Sequence, residues 1–239
     1  MKIIKLTNTL LICCAILLLP ELKLNAQDGG GKPLSYGVRL GLSESALTFD
    51  NQPTSFQNFA PVIGGFAQYS VLPWVAASVE VVYTQHGGNN LNPLLLYSPN
   101  SSVFDNGYLR QTDLKIHCLE IPISAKVGLP DFSGPVKPFL SAGFSLAFNI
   151  KANAKNYFID DNNTSLPYYY TANDNVTSKV KAATMSFITG AGVQFNGSQF
   201  NCSIEVFYKI GMTDINVESK TYAPDFRANA FGVKVGIGL

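Results

Sequence analysis

The stretch Phe231-Gly-Val-Lys-Val-Gly-Ile-Gly-Leu239 constrains the fold more than any other part of this chain. Phe231, Val233, Val235, Ile237 and Leu239 share one face of an extended strand, and Gly232, Lys234, Gly236 and Gly238 share the other. The alternation runs to the last residue of the sequence, so the expectation is that lipid, rather than a following domain, covers the apolar face. A transmembrane β-barrel has this pattern, with apolar side chains outward and small or charged ones in the lumen.

Seven further alternating segments precede it. Together they predict strands at approximately 35–43, 61–71, 75–85, 116–128, 137–150, 184–195, 199–210 and 227–239. Most reach or approach the ~9–11 residues that a tilted strand needs to cross a bilayer. The connections sort by parity. Those after the second, fourth and sixth strands are short, whereas 44–60, 87–115, 151–183 and 211–226 are long and polar. Short turns at one end and long loops at the other belong to outer-membrane barrels, where turns are periplasmic and loops extracellular. The expected fold is therefore all-β, an eight-stranded antiparallel up-and-down transmembrane barrel, with both ends of the mature chain in the periplasm.

At the other end of the sequence, Lys2 and Lys5 precede an apolar run from Leu10 to Leu19 and then Leu24-Asn25-Ala26. This resembles a secretory signal peptide cleaved after Ala26, and the run is too short for a spanning helix. Cys13 and Cys14 lie within the run and Ile12 precedes them, which disfavours a lipoprotein site. The expected organisation is a signal peptide over residues 1–26 and one barrel domain over 27–239. Removing the leader leaves 14 basic and 15 acidic side chains, a balance that gives no electrostatic case for nucleic acid. The expected partner is outer-membrane lipid, for a monomer with possible envelope or secretion contacts through its extracellular loops.

Parity places six charged residues in the lumen: Arg39, Glu80, Glu120, Lys126, Glu205 and Lys234. An unpaired charge there is costly, so a near-balanced set implies mutual ion pairs. An eight-stranded barrel is just wide enough for side chains to fill or for one small ligand. The expectation is a packed polar plug; the alternative is a gated small-solute pore. Trp74 falls in a short turn, where indole suits the membrane interface.

The segments Tyr36-Gly-Val-Arg-Leu-Gly-Leu-Ser43, Ser78-Val-Glu-Val-Val-Tyr-Thr-Gln-His-Gly87 and Leu119-Glu-Ile-Pro-Ile123, with the glycine-alternating last strand, resemble the PorT-like outer-membrane β-barrel family. The resemblance implies the same fold and location, and through the family's founding member a link to a protein-secretion and gliding apparatus. Leu239 departs from the aromatic ending of many barrels.

Other chemistry is weakly signalled. The chain has two histidines. His86 shares the parity of Glu80, and His117 that of the outward Leu119, so no nucleophile–base–acid set emerges and no enzyme is expected. Asp160, Asp161, Asn162, Asn163 and Asp174 supply oxygen atoms but match no calcium loop, so no metal and no cofactor is expected. Cys118 and Cys202 have opposite parity, which argues against a disulfide. The loop segments 89–98 and 166–171 carry apolar and aromatic residues, either as contact surfaces or packed on one another above the membrane.

Overall fold

The computed structural model describes residues 34–49, 52–53, 58–92, 96–97, 108–129, 136–160, 168–197, 200–217 and 225–239. The signal-peptide reading, and most of the aspartate- and asparagine-rich segment, lie outside these residues. The sheet's eight long strands are β1 (Leu34–Phe49), β2 (Asn58–Leu72), β3 (Val75–Leu91), β4 (Tyr108–Gly128), β5 (Val136–Asp160), β6 (Ala183–Asn196), β7 (Asn201–Gly211) and β8 (Phe226–Gly238). Each pairs antiparallel with its chain neighbours, and β8 pairs with β1 to close the ring. Leu40 lies opposite Val235 at the seam, and the Leu239 amide donates to the Tyr36 carbonyl at 3.0 Å. The alternation that ends the sequence thus continues the seam to its last residue. Among the described residues no helix is long and apolar enough to cross a membrane.

All eight expected strands are present, but most continue further at the long-loop end than alternation suggests. β4 and β5 have 21 and 25 residues, about twice what a bilayer crossing requires. Two further pieces extend the sheet there: Gln52–Pro53 pairs with β1, and a rim strand, Tyr168–Asn175, pairs with β5. The loops read as 87–115 and 151–183 are therefore partly sheet. Their polar residues broke the apolar period, and above a membrane a strand has no reason to keep that period.

The outward row is apolar across a band of limited height. On β1 it begins at Leu34, runs through Tyr36, Val38, Leu40 and Leu42, and stops at Glu44, which lies opposite Phe231 and Phe59. The eleven residues from Leu34 to Glu44 match one tilted crossing of about 9–11. His117 and Lys151, paired across β4 and β5, mark the same upper edge. At the short-turn end Tyr36, Trp74, Phe195 and Phe200 are exposed.

The glycines of β8 have a specific task inside. A side chain at Gly236 would collide with the Arg39 guanidinium, and one at Gly232 with the Phe207 ring. Glycine on the inner face of β8 is what leaves room for large residues from β1 and β7.

Candidate functional site

Every inward charge named from parity is buried, and together they belong to two linked groups. In the first, Glu80 on β3 accepts from Lys234 on β8 at 3.1 Å through both carboxylate oxygens, and Arg39 on β1 approaches it at 3.3 Å. Glu205 on β7 accepts from Ser141 at 2.7 Å and lies 3.5 Å from Lys234 and 3.9 Å from Lys126. Lys126 donates to Gln68 at 3.1 Å, while Arg39 donates to Ser203 at 2.8 Å. These links cross the lumen from β1 to β7, β3 to β8 and β4 to β7, so the strands are tied through side chains as well as through the ladder.

The second group lies around Glu120 on β4. Lys209 on β7 donates to both its oxygens at 2.9 and 2.7 Å, Ser145 donates at 3.4 Å, and His86 on β3 makes a short contact with Oε1. Lys209 and His86 were not among the six charges named from the sequence, although both have lumen parity. Alternation places Lys209 inward and His86 at the lumen or rim, and does not say which carboxylate either one meets. Cross-strand register, which brings Thr84 opposite Cys118 and His86 opposite Ile116, is what aims His86 at Glu120.

Aromatic rings fill the space between charges. Arg39 stacks 4.3 Å from the Phe66 ring centre, and Lys126 lies 5.0 Å from that of Phe139. Lys209 and Lys234 sit 5.6 and 5.5 Å from the same Phe207 ring centre, which joins the two groups. Cation–π contacts of this sort strengthen when water is excluded. Phe66, whose parity with Gln68 leaves its face ambiguous in the sequence, points inward.

Toward the long-loop end the lumen changes character. Leu47, Leu91, Leu114, Ile116, Phe226, Val176, Val180 and Ile215 form one buried apolar cluster, and Leu96 and Tyr97 from the loop after β3 join it. The two loop residues are held in place by polar contacts. Lys179 donates to the Leu96 carbonyl at 2.7 Å, Tyr97 donates to Asp174 at 3.0 Å, and Asn156 donates to both the Tyr97 hydroxyl and Asp174 at 2.8 Å. The expectation from parity was a polar plug throughout. It missed this layer because inward leucine and isoleucine residues above the membrane break the outward-apolar rule.

Burial pushes the Tyr97 phenol up to about 12. An acid whose pKa rises on folding contributes stability below its unfolded value, near 10, and loses it as pH rises through the folded value. The stability advantage of the native chain over Tyr97→Phe should accordingly shrink between about pH 10 and 12, by roughly 2 kcal/mol. Urea unfolding of the two proteins across that window checks it; a constant difference would refute the assignment.

The remaining sites are quickly placed. Trp74 is exposed in the Pro73-Trp74 turn, and its carbonyl accepts from the Gly128 amide at 2.7 Å. His117 faces outward and its Nδ1 is 2.6 Å from the Tyr83 hydroxyl. Cys118 is buried, Cys202 half-buried, and both are free thiols. Among the described residues no group of histidine, cysteine, aspartate or glutamate side chains is arranged to hold a metal ion.

A closed eight-stranded antiparallel ring with an apolar outer band one bilayer tall and a polar, charged interior defines an outer-membrane β-barrel protein. The chain matches the family described as outer membrane protein beta-barrel domain over residues 25–217. It belongs to that family, which places it in the cell outer membrane. Among solved structures it is similar to Neisserial surface protein A, at 16% identity over 87% of this chain and 99% of that one, with a TM-score of 0.45. It is also similar to OprG of Pseudomonas aeruginosa, at 12% identity over 87% and 96% of the two chains and a TM-score of 0.46. Ail, the attachment invasion locus protein of Yersinia pestis, is similar at 12% identity over 87% and 100%, with a TM-score of 0.38. No curated protein matches the chain.

Proposed function

We propose that this protein is a closed barrel whose lumen is a permanent plug, and that it works as a membrane scaffold and surface-interaction module rather than as an enzyme or a pore. One observation carries the reading: two barriers lie in series along the lumen. The ion-paired groups around Glu80 and Glu120 come first, and the apolar cluster around Leu114 and Phe226 follows. A hydrated solute path would need both to separate. Breaking a buried ion pair strands a charge, at a cost of about 3–5 kcal/mol for each pair. Reconstituted into planar bilayers, the purified barrel should show no sustained unitary conductance; steady channel steps would establish a pore instead.

The orientation follows from loop parity. The short turns, with Trp74 anchored at the interface by its amphipathic ring, face the periplasm, and the sheet extension of β4, β5 and the rim strand stands outside the cell. A cysteine introduced in the Pro73-Trp74 turn should resist a membrane-impermeant maleimide on whole cells, and ready labelling there would reverse the topology. The leader is removed after Ala26, so the mature protein should begin at Gln27 when its N-terminus is sequenced. An intact Met1 would disprove processing.

The likeness of Leu119-Glu-Ile-Pro-Ile123 and its companion segments to the PorT-like family supports a second reading, an accessory part of a secretion apparatus. Secretion proteins should then co-purify with the tagged barrel, and unchanged protein export in a deletion strain would dismiss that role.

A further inference from the structure

On β3, β4 and β5 the outward row changes chemistry abruptly at the upper edge of the apolar band. Tyr83, Leu119 and Phe148 lie side by side in the last apolar row, and Gln85, His117 and Lys151 lie side by side above them. Lys115, two residues further up β4, faces the same way as His117 and is exposed, as is Lys151. We propose that Lys115 and Lys151, with His117 beside them, hold the phosphate of an anionic lipid in the leaflet at the long-loop end.

A bulge in β5 is what turns Lys151 outward. Phe148 faces out, so strict alternation would carry Asn149 inward, Ile150 outward and Lys151 back into the lumen. Instead the register shifts between His117 and Cys118. Cys118 lies opposite Asn149 and His117 opposite Lys151, which leaves Ile150 as the extra residue. Ile150 is exposed, and Ala152 and Ala154 beyond Lys151 are fully buried. Re-aiming a side chain is a known effect of a β-bulge. Here it takes a cation out of the lumen and sets it against His117.

Depth separates this set from the solvated groups higher on the sheet. A strand rises about 3.3 Å per residue, so at the usual barrel tilt of ~35–45° two residues climb roughly 5 Å along the membrane normal. The headgroup layer on each side of the hydrocarbon is about 5–8 Å thick. With His117 and Lys151 at the hydrocarbon edge, Lys115 falls inside that layer. Asp113 and Lys155 are two steps of the alternation further up than His117 and Lys151. They stand about 10 Å above the edge, in water. Asp113 is moreover occupied, by the Asn90 amide at 2.9 Å and the Tyr157 hydroxyl at 2.8 Å. The surroundings of Lys115 and Lys151 are therefore lipid headgroups rather than bulk solvent.

The chemistry selects an anion. Neither Lys115 nor Lys151 has an ion-pair partner among the described residues. Gln85 Nε2 donates to the Tyr83 hydroxyl oxygen at 3.2 Å, which directs the phenol hydrogen to His117 Nδ1, 2.6 Å away. The imidazole proton then sits on Nε2, where it is a further donor. Two ammonium groups and this N–H suit phosphate oxygens and offer nothing to a cationic headgroup. The edge as a whole is not uniformly basic: β1 carries Glu44 there, and Arg227 on β8 is bonded to Asp214 at 3.1 Å. Beneath the cations, Leu119 and Phe148 continue the lipid-facing band, so one lipid molecule meets its phosphate partners and its acyl-chain surface together.

The inference goes beyond the plugged-scaffold reading and fails separately from it. Lipid binding is measured on purified protein, so it depends on neither conductance nor orientation in the cell. The full chain, in a non-ionic detergent, is titrated with phosphatidic acid and with phosphatidylcholine of the same acyl chains, and bound lipid is read by native mass spectrometry. Phosphatidic acid should bind at least about tenfold more tightly, as two lysines at an anionic headgroup imply. The double variant Lys115→Gln/Lys151→Gln should bring that preference to within about twofold. Its melting temperature should not change, because both side chains are exposed. Lys155→Gln, made in the aqueous layer, should keep the preference. Inorganic phosphate has no acyl chains to hold it against the band and should not displace the lipid. Equal binding of the two lipids, a preference that survives the double variant, the same loss in Lys155→Gln, or displacement by inorganic phosphate would each overturn the proposal.

Discussion

Replacing Glu120 by leucine should lower the unfolding free energy of the barrel by about 3–5 kcal/mol, the usual result of removing one partner from a buried ion pair. Glu120 is 1% exposed and accepts from Lys209 through both oxygens, from Ser145, and in the short contact from His86. Without it, Lys209 keeps a full charge in a space closed by Phe207 and by the neighbouring strands. The loss comes from the stranded ammonium more than from a missing attraction. The double variant Glu120→Leu/Lys209→Met should therefore recover much of the stability, because exchanging a whole buried pair for apolar groups is often close to neutral. A double-mutant cycle by urea unfolding in lipid vesicles gives the coupling directly. A single variant as stable as the parent would mean that water reaches Glu120, and the plugged lumen would then be abandoned.

The second large effect is expected on the opposite face of the same wall. Leu40 lies near the middle of the band from Leu34 to Glu44 and is 53% exposed. Leu40→Arg should cost about 2–4 kcal/mol, the penalty for a cation on the lipid face at the middle of the bilayer. Tyr36→Arg, near the short-turn edge of the band, should cost roughly 0–1 kcal/mol, because penalties fall toward the interface. Folding of the two variants into vesicles, followed by gel mobility without boiling, resolves the gradient. Equal penalties at both positions would mean that lipid does not solvate this row.

The wall of the barrel is legible in the residue pattern because lipid imposes a rule that one strand can state alone. Leu140, Phe144 and Phe148 must face hydrocarbon, so Ser141 and Ser145 must face the other way, and period two carries this information locally. The six inward charges follow from the same parity. The rule lapses where the strands leave the apolar band. From Lys151 onward β5 presents lysine, alanine and asparagine, which read as loop although they continue the sheet to Asp160. The polar groove on the sheet extension, lined among others by Gln111, Asp113, Asn153 and Asn173, is hidden for a related reason. Gln111, Asp113, Asn153 and Asn173 are ordinary polar residues when read in line, and only register on three strands assembles them.

Partner choice within the lumen shows the same division. Lys209 and His86 carry the right parity, yet nothing near them in the chain names Glu120, which is 89 positions from Lys209 and 34 from His86. Leu96 and Tyr97 are a stronger case, since an apolar pair in a long loop suggests an exposed contact surface until Lys179 and Asp174 are seen holding it inside.

The sequence alone determined that this chain is a barrel wall, how many times it crosses, and which side chains face lipid, because those properties depend on alternation between immediate neighbours. The tertiary structure decided which carboxylate takes which cation, where the lumen turns from polar to apolar, and which polar side chains meet on the sheet extension. Each of these depends on the distance between strands far apart in the chain, and closing the ring is what sets that distance.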